Sequence, residues 1–242
     1  MKGRGAVAGL LLGLIAALSI VAAGLGTRWG FWHFRTGFAV LRYAAYGGAV
    51  AIAVSLAGGV MAWRGSLRGG LVAAAAGVLL GATAFGVPWS WARYARHVPA
   101  IHDITTDTED PPRFAAVLSL RKDAPNSTEY GGPELAQKQH AAYPDLRSLM
   151  LEVPPGPAFE RSVAAARRLG WKLVDANAGE GRIEATDTTF WFGFKDDVVV
   201  RIAAAGQGSR VDVRSVSRVG VSDVGTNARR IRKFLKELSR PG

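Results

Sequence analysis

Two neighbouring aspartates, Asp196 and Asp197, are the residues whose types most directly suggest chemistry. Paired carboxylates can hold a metal ion or act as general acid and base. Neighbouring side chains of a strand, however, point to opposite faces of a sheet. The pair follows Lys195 at the start of an apolar run, where a turn rich in Asp is common. We therefore interpret Lys195, Asp196 and Asp197 as a turn in preference to a catalytic pair.

A second group of polar side chains, His102 with Asp103 and Asp107, could in principle ligate a divalent cation. The three residues lack the spacing of a recognised metal motif. We expect them instead to form hydrogen bonds that seat their segment on the rest of the protein. The sequence also contains no G-x-S-x-G, P-loop, G-x-G-x-x-G or H-E-x-x-H pattern. No catalytic residue, metal site or cofactor is predicted.

Arginines form a third candidate site. In residues 210–219, Arg214 and Arg218 alternate with Val and Ser and so share one face of a predicted strand. Arg201 on the preceding strand is expected to join them, with Glu184 and Asp197 as cross-strand partners. A solvated charge ladder is the favoured interpretation. The alternative is that Arg214 and Arg218 present planar donors to an anionic headgroup, a glycan or a partner carboxylate. The candidate binding residues are Arg201, Arg214, Arg218, Asp196 and Asp197.

The charge of the chain is unevenly distributed. The formal net charge is +11, but the first 97 residues hold nine basic side chains and no acidic one, whereas the remainder holds 21 basic and 19 acidic ones. The excess of positive charge therefore does not belong to a globular basic surface, which argues against a nucleic-acid-binding domain. The absence of cysteine excludes disulfides, thiolate zinc sites and cysteine nucleophiles.

The basic front part contains three long uncharged runs, at residues 6–25, 43–63 and 71–91. Each has about the 20 residues that a helix needs to cross the hydrocarbon core. The runs are rich in Gly and Ala, which lets helices pack closely. They contain no Asp, Glu or Lys, so we expect an anchor or assembly module and not a transporter. The domain prediction is a three-span transmembrane domain at 1–97, a polar tether and loop region at 98–147, and a soluble domain at 148–242.

Aromatic residues flank these runs, where amphipathic rings favour the headgroup layer. They include Trp29, Phe31, Trp32, Phe34, Trp63, Trp89, Trp91 and Tyr94. The segments that flank the three runs carry four basic residues on one side of the membrane and five on the other. Because these numbers are nearly equal, the orientation is inferred from the first helix. Its short basic start resembles a start-transfer signal, with a cleaved signal peptide as the alternative. We expect a multi-pass inner-membrane protein with a cytoplasmic N-terminus and a periplasmic or extracytoplasmic C-terminal domain.

The back part reads as an α+β domain. Short helices are predicted at 134–140 and 157–169, and strands at 149–153, 171–176, 182–186, 198–203 and 210–219. Ser222 or Asp223 is expected to cap a final amphipathic helix. The order β-α-β-β-β-β-α predicts an antiparallel sheet with two helices on one face. Residues 98–112 are polar and end in a Pro-Pro pair, and residues 121–133 are dense in turn formers.

Four motifs carry a resemblance to a known family. They are IHDITTD at 101–107, PPRF at 111–114, RIEATDTTFWFGFKDDVVVRI at 182–202 and RVDVRSVSRVGVSDVGTNARRI at 210–231. Together they resemble the domain of unknown function 1499 family, in its membrane-tethered branch. The resemblance implies an exported or membrane-tethered envelope protein and assigns no activity. The sequence lacks the lipobox cysteine of the lipoprotein branch, so the three helices replace the lipid anchor.

Two functional classes remain open at this point. The first is a non-enzymatic protein of the cell envelope whose outer domain binds a partner protein, a lipid headgroup or a glycan. The second is an envelope hydrolase or transferase that uses Asp196, Asp197 or His102. Carboxylates that converge in a deep cleft favour the enzyme, whereas a polar sheet face favours binding.

Overall fold

The computed structural model describes residues 3–240. Met1, Lys2, Pro241 and Gly242, which the orientation prediction uses at the two ends of the chain, lie outside the described residues. The chain divides into two compact units. The first comprises residues up to His97 together with Phe190–Gly193, and the second comprises Val98–Thr189 and the residues from Phe194 onward.

The first unit contains three long helices, α1 (Arg4–Arg28), α2 (Phe34–Arg64) and α3 (Arg68–Ala95). All three are long and apolar enough to cross a membrane, as the sequence predicted. Their outward faces carry large apolar side chains such as Leu11, Ile15, Val72 and Leu79. In α3 the helix continues past Pro88, two residues after Gly86. The fold thus provides a bundle suited to contact with lipid.

Small residues allow the three helices to approach one another at the level of Ser55 in α2. A Cβ atom built on Gly9 of α1 would lie 2.3 Å from Ser55 Oγ, and one built on Gly77 of α3 would lie 2.2 Å from the same atom. Gly5 and Gly58 face each other one turn away. These distances leave no room for side chains, so close backbone packing holds the bundle together.

The second unit is built on one antiparallel sheet. Its strands are β1 (Asp103–Thr105), β2 (Leu149–Leu151), β3 (Lys172–Asn177), β4 (Arg182–Thr188), β5 (Lys195–Ala205) and β6 (Gly208–Ser217). The strand order is β1-β6-β5-β4-β3, and β2 also pairs with β6, next to β1 along the same edge. The long β5–β6 hairpin, joined through the left-handed Gly206, forms the centre of the sheet.

Helices cover one face of this sheet. They are α4 (Gly132–Ala142), α5 (Pro155–Arg168) and α6 (Thr226–Leu238). The faces of α5 and α6 pack on Val198, Val200, Val211 and Val213, and Trp171 stacks on Phe234 with ring centroids 5.0 Å apart. Proline in its first turn starts α5, and the left-handed Gly170 follows its end. The predicted antiparallel sheet with helices on one face is therefore confirmed, and α4 is added to the two helices expected there.

The opposite face of the sheet is covered by a 3₁₀ helix at Ala116–Leu120. Phe114 and Val117 bury Val199 and Val216 beneath them. Residues 196–200 of β5 and 211–217 of β6 therefore have both faces of the sheet shielded from water. Charged side chains that point to this second face are consequently buried and need partners.

Two local predictions differ from the structure. Residues 98–112, read as a polar tether, contain β1, whose backbone pairs with β6 from Thr105 opposite Arg214 to Asp103 opposite Val216. A three-residue strand at the sheet edge is too short to show an alternating pattern. The turn predicted for Lys195 to Asp197 is also wrong, because these residues open β5. Charged residues are unusual inside a buried strand. Asp196 and Asp197 are buried here because each of them pairs with an arginine.

Candidate functional site: a network of arginines and carboxylates

Arginine and carboxylate side chains form several groups of ion pairs, which we call the network, on the second face of the sheet. The alternation of β6 places Asp212, Arg214 and Arg218 on this face, while Val211 and Val213 enter the main core. The register of β5 against β6 sets Asp197 opposite Val216 and Arg201 opposite Asp212. The face assignment made from the sequence is thus confirmed, but the side chains are less exposed than a solvated ladder requires.

Arg214 is the most buried arginine of the network, with 2% of its surface exposed. Its Nε and Nη2 donate to the two carboxylate oxygens of Asp103 at 2.9 and 2.7 Å. Its remaining donors reach the carbonyl oxygens of Pro112 and Thr128. The guanidinium also lies over the rings of Phe114 and Tyr130, 5.4 Å from each centroid. Arg214 therefore ties β6 to β1 and to the loops above the sheet.

Asp197 has a similar enclosed setting, with its side chain fully buried. Arg218 donates to both of its oxygens at 2.9 Å, Arg121 donates to Oδ2 at 2.5 Å, and the hydroxyl of Thr186 donates to Oδ1 at 2.6 Å. Burial works to raise the pKa of Asp197, but the hydrogen bonds from Arg218, Thr186 and Arg121 outweigh it. The pKa of this carboxyl is held below its ordinary value of 3.8.

Asp196 points to the other face of the sheet, beneath α6. Its Oδ2 accepts a hydrogen bond from Arg230 Nη2 at 2.6 Å, and Arg230 also binds Asp187 and Asn227. The pKa of Arg230 is raised because these carboxylates outweigh the opposing effect of burial. The two adjacent aspartates therefore belong to separate ion pairs and do not converge on one site.

Glu184 performs a structural task on the second face. Its Oε1 accepts hydrogen bonds from the backbone N–H groups of Ala115 and Ala116, and its Oε2 accepts one from Val117. These are the unpaired donors at the start of the 3₁₀ helix, which a carboxylate can satisfy. Glu184 is fully buried. Its role as a helix cap, together with an ion pair to Arg182 on the same strand, replaces the partnership with Arg201, Arg214 and Arg218 expected from the sequence.

The network becomes exposed at one end, which we call the arginine rim and define as Asp107, Asp110, Arg201, Arg210 and Asp212. Arg201 donates to Asp110 at 2.7 Å, to Asp107 at 2.9 Å and to Asp212 at 3.0 Å. Arg210 donates to Asp107 at 2.5 Å and to the hydroxyl of Ser148 at 3.1 Å. The side chains of Arg201 and Arg210 are 27% and 41% exposed, and that of Asp110 is 72% exposed.

Charges in the rim and beside Arg214 shift several pKa values. Burial works to raise the pKa of Asp107, but hydrogen bonds from backbone N–H groups and the charge of Arg210 favour its charged form. The pKa of Asp107 is therefore lowered. The pKa of Arg201 is raised because Asp212 and Asp110 outweigh its partial burial. Burial raises the pKa of Asp103 against the effect of Arg214, and it raises that of Tyr130 to about 12. Arg201 therefore stays charged at any physiological pH.

The structure separates the five predicted binding residues. Arg214 and Arg218 are joined to Asp103 and Asp197 inside the domain, Asp196 lies on the helix-covered face, and Arg201 alone belongs to the rim. Sequence reasoning missed Asp110, Arg121, Arg210 and Asp212 of the network, and Arg230 on the helix-covered face. For Arg210 and Asp212 the alternation along β6 was an available signal. Arg121 and Arg230 come from a loop and a helix, and only the tertiary fold brings them to Asp197 and Asp196.

The predicted segment around His102 is seated by hydrogen bonds, as expected. The His102 carbonyl accepts from Ser217 N and from Asn227 Nδ2, while Asp103 and Asp107 are engaged by arginines. Among residues 3–240, no three His, Asp or Glu side chains are grouped so that they could hold a metal ion. A shallow cavity of about 320 Å³ lies elsewhere in this unit, between the start of α5 and the β3–β4 turn.

These features define a class of protein, in which three membrane-spanning helices are joined to an α+β domain with a buried network of arginines and carboxylates. A family model described as protein of unknown function (DUF1499) matches residues 103–238. The chain belongs to this family, which confirms the resemblance seen in its motifs. No curated protein matches the chain.

Proposed function

We propose that this protein is a membrane-anchored, non-enzymatic component of the cell envelope, with a soluble domain that binds or assembles with a partner. The observation that carries the proposal is the state of the candidate carboxylates. Asp196 and Asp197 lie on opposite faces of β5, and arginines occupy both. A general acid or base must reach a substrate proton, and two acids that share a reaction must share a cleft. The hydrolase or transferase alternative therefore gains no support from this pair.

The arginine rim is the part of the network suited to recognition. Arg201 and Arg210 present planar guanidinium groups at the surface, which suits carboxylate or phosphate acceptors. The Arg201 pair with Asp110 is exposed, and such pairs contribute only about 0 to 1 kcal/mol. An acidic group of a partner protein, a lipid headgroup or a glycan can therefore replace Asp110 at small cost. We therefore assign the recognition role to Arg201 and Arg210, and not to Arg214 and Arg218 as the sequence suggested.

The proposed location is the inner membrane, with the N-terminus in the cytoplasm and the soluble domain outside it. The short basic start before α1 and the odd number of spans support this orientation. The resemblance to the membrane-tethered branch of the family agrees with it. A C-terminal alkaline phosphatase fusion should be active, and a cytoplasmic reporter at the same point should be inactive. The reverse pattern would place the soluble domain in the cytoplasm.

Affinity purification of the intact protein from mildly solubilised membranes tests the binding role. The double variant Arg201→Ala/Arg210→Ala should lose the co-purifying partner. The matched control Arg168→Ala/Arg232→Ala removes two arginines whose ion pairs with Glu237 and Asp145 are exposed, and it should retain the partner. A third variant, Asp110→Ala, releases one acceptor from Arg201 and should increase capture. Equal recovery with all three variants would refute a role for the rim.

A further inference from the structure

The four residues Phe190–Gly193 belong to the first unit although they lie between β4 and β5 in the chain. Three of the four are aromatic. Arg28 at the end of α1 donates from Nη1 to the Phe190 carbonyl oxygen at 2.7 Å. The same guanidinium lies 5.8 Å from the centroid of the Phe190 ring. The loop is thus held at the end of α1 by a charged side chain from the helix.

Trp191 occupies a space that a glycine of α1 leaves open. A Cβ atom built on Gly24 would lie 2.0 Å from Trp191 Cδ1, so only glycine accommodates the indole. The indole also meets Trp91 of α3 edge to face, with ring centroids 6.3 Å apart. Phe192 packs on Phe38 of α2 with centroids 5.1 Å apart. The loop therefore contacts all three helices where α1 and α3 end and α2 begins.

Phe190 differs from its neighbours because its side chain is not packed into the bundle. It is 84% exposed, although Trp191 and Phe192 beside it pack inward. The same helix ends carry further exposed aromatic residues, among them Trp29, Phe31, Trp89 and Trp91. Aromatic rings at the ends of membrane-spanning helices favour the interfacial layer, and arginines there extend toward the headgroups. Phe190 continues this set of rings.

We propose that the loop Phe190–Gly193 is an interfacial membrane anchor whose Phe190 ring inserts among the lipids at the ends of the three helices. Lipid is the occupant because the loop is continuous with the ends of helices that are long and apolar enough to span a bilayer. Arg28, which holds the loop, also provides a cation for an anionic lipid phosphate next to the ring. An exposed phenylalanine in water would instead carry an unfavourable hydration cost.

The absence of cysteine from the chain allows a direct test. The full chain carrying Phe190→Cys is labelled with an environment-sensitive fluorophore and reconstituted in vesicles of phosphatidylcholine and phosphatidylglycerol. Lipids with a nitroxide near the headgroup serve as quenchers. A matched control, Val221→Cys, places the label at another highly exposed apolar position, in the second unit. Both substitutions replace exposed side chains, so neither removes a buried contact.

The label at position 190 should emit at shorter wavelength than the label at 221 and should lose fluorescence when the nitroxide lipid is added. Quenching of both labels only by a water-soluble quencher would overturn the proposal. A disulfide-linked dimer formed in high yield by unlabelled Phe190→Cys in the same vesicles would also overturn it, because the ring would then face a second copy of the chain.

Discussion

Arg214 on β6 and Asp103 on β1 form a bidentate ion pair that is buried between the sheet and the loops above it. The pair joins the edge strand of the soluble domain to the strand beside it. Because this pair is buried, it contributes to the stability of the domain and is not available to a ligand. Removal of one partner leaves the other charge in a region that water does not reach.

Arg214→Ala should therefore destabilise the soluble domain by about 3 to 5 kcal/mol, the usual cost of breaking a buried pair. Arg168→Ala removes an exposed arginine that pairs with Glu237 and should cost less than about 1 kcal/mol. Chemical unfolding of the two variants measures both values. Equal effects would mean that Arg214 is solvated in the folded protein.

A fragment that begins at Val98 should fold without the membrane helices. Its main core lies entirely within residues 101–238 and includes Trp171, Ile183 and Phe234. A domain with its own core unfolds cooperatively. Expressed alone, the fragment should show one thermal transition in circular dichroism. An aggregated or non-cooperative product would mean that residues of the first unit complete its core.

The same fragment should lose stability in acid partly through Asp197. The folded-state pKa of this group lies below its ordinary value of 3.8, so its contribution is complete above about pH 4 and is lost as the pH falls further. Asp197→Asn lowers stability at neutral pH but removes this source of acid sensitivity. The free energy of unfolding, measured between pH 6 and pH 2, should therefore fall less steeply in the variant. An unchanged slope would show that Asp197 is not held in its charged form by the arginines.

Gly9→Ala should loosen the helix bundle, because the new methyl group would overlap Ser55. Overpacking of this kind costs about 1 to 3 kcal/mol. Gly86→Ala is the matched control, since a Cβ atom there meets nothing within 4 Å. The stability of the two full-length variants is compared by unfolding them in mixed micelles with an increasing fraction of denaturing detergent. A Gly9→Ala protein as stable as the control would place Gly9 outside the helix contact.

The sequence predicted the parts of the fold that have a clear period or length. The three membrane helices, the strands β3 to β6 and the helices α5 and α6 follow from apolar runs and alternation. The sequence-based predictions failed where polar residues are buried, because a buried polar residue cannot be distinguished from an exposed one in the sequence. Asp196 and Asp197 resembled a turn because their arginine partners, Arg230 and Arg121, are 34 and 76 residues away.

The candidate site was predicted only in part for the same reason. Alternation along β6 placed Arg214 and Arg218 on one face, but it contained no information on what covers that face. The 3₁₀ helix at Ala116–Leu120 and the edge strand β1 supply the cover, and both are too short to show a period. Burial turned the expected ladder into an internal framework and left only the arginine rim accessible.

Site-specific photocrosslinking in intact cells tests most directly whether the rim is a binding surface. A photoreactive amino acid is placed at Asp110 in the rim, and for comparison at Glu134, an exposed carboxylate in α4 that pairs with Lys138 on its own helix. We predict a discrete crosslinked product from position 110 and none from position 134. No product at 110, or the same products at both positions, would contradict a role for the arginine rim in binding.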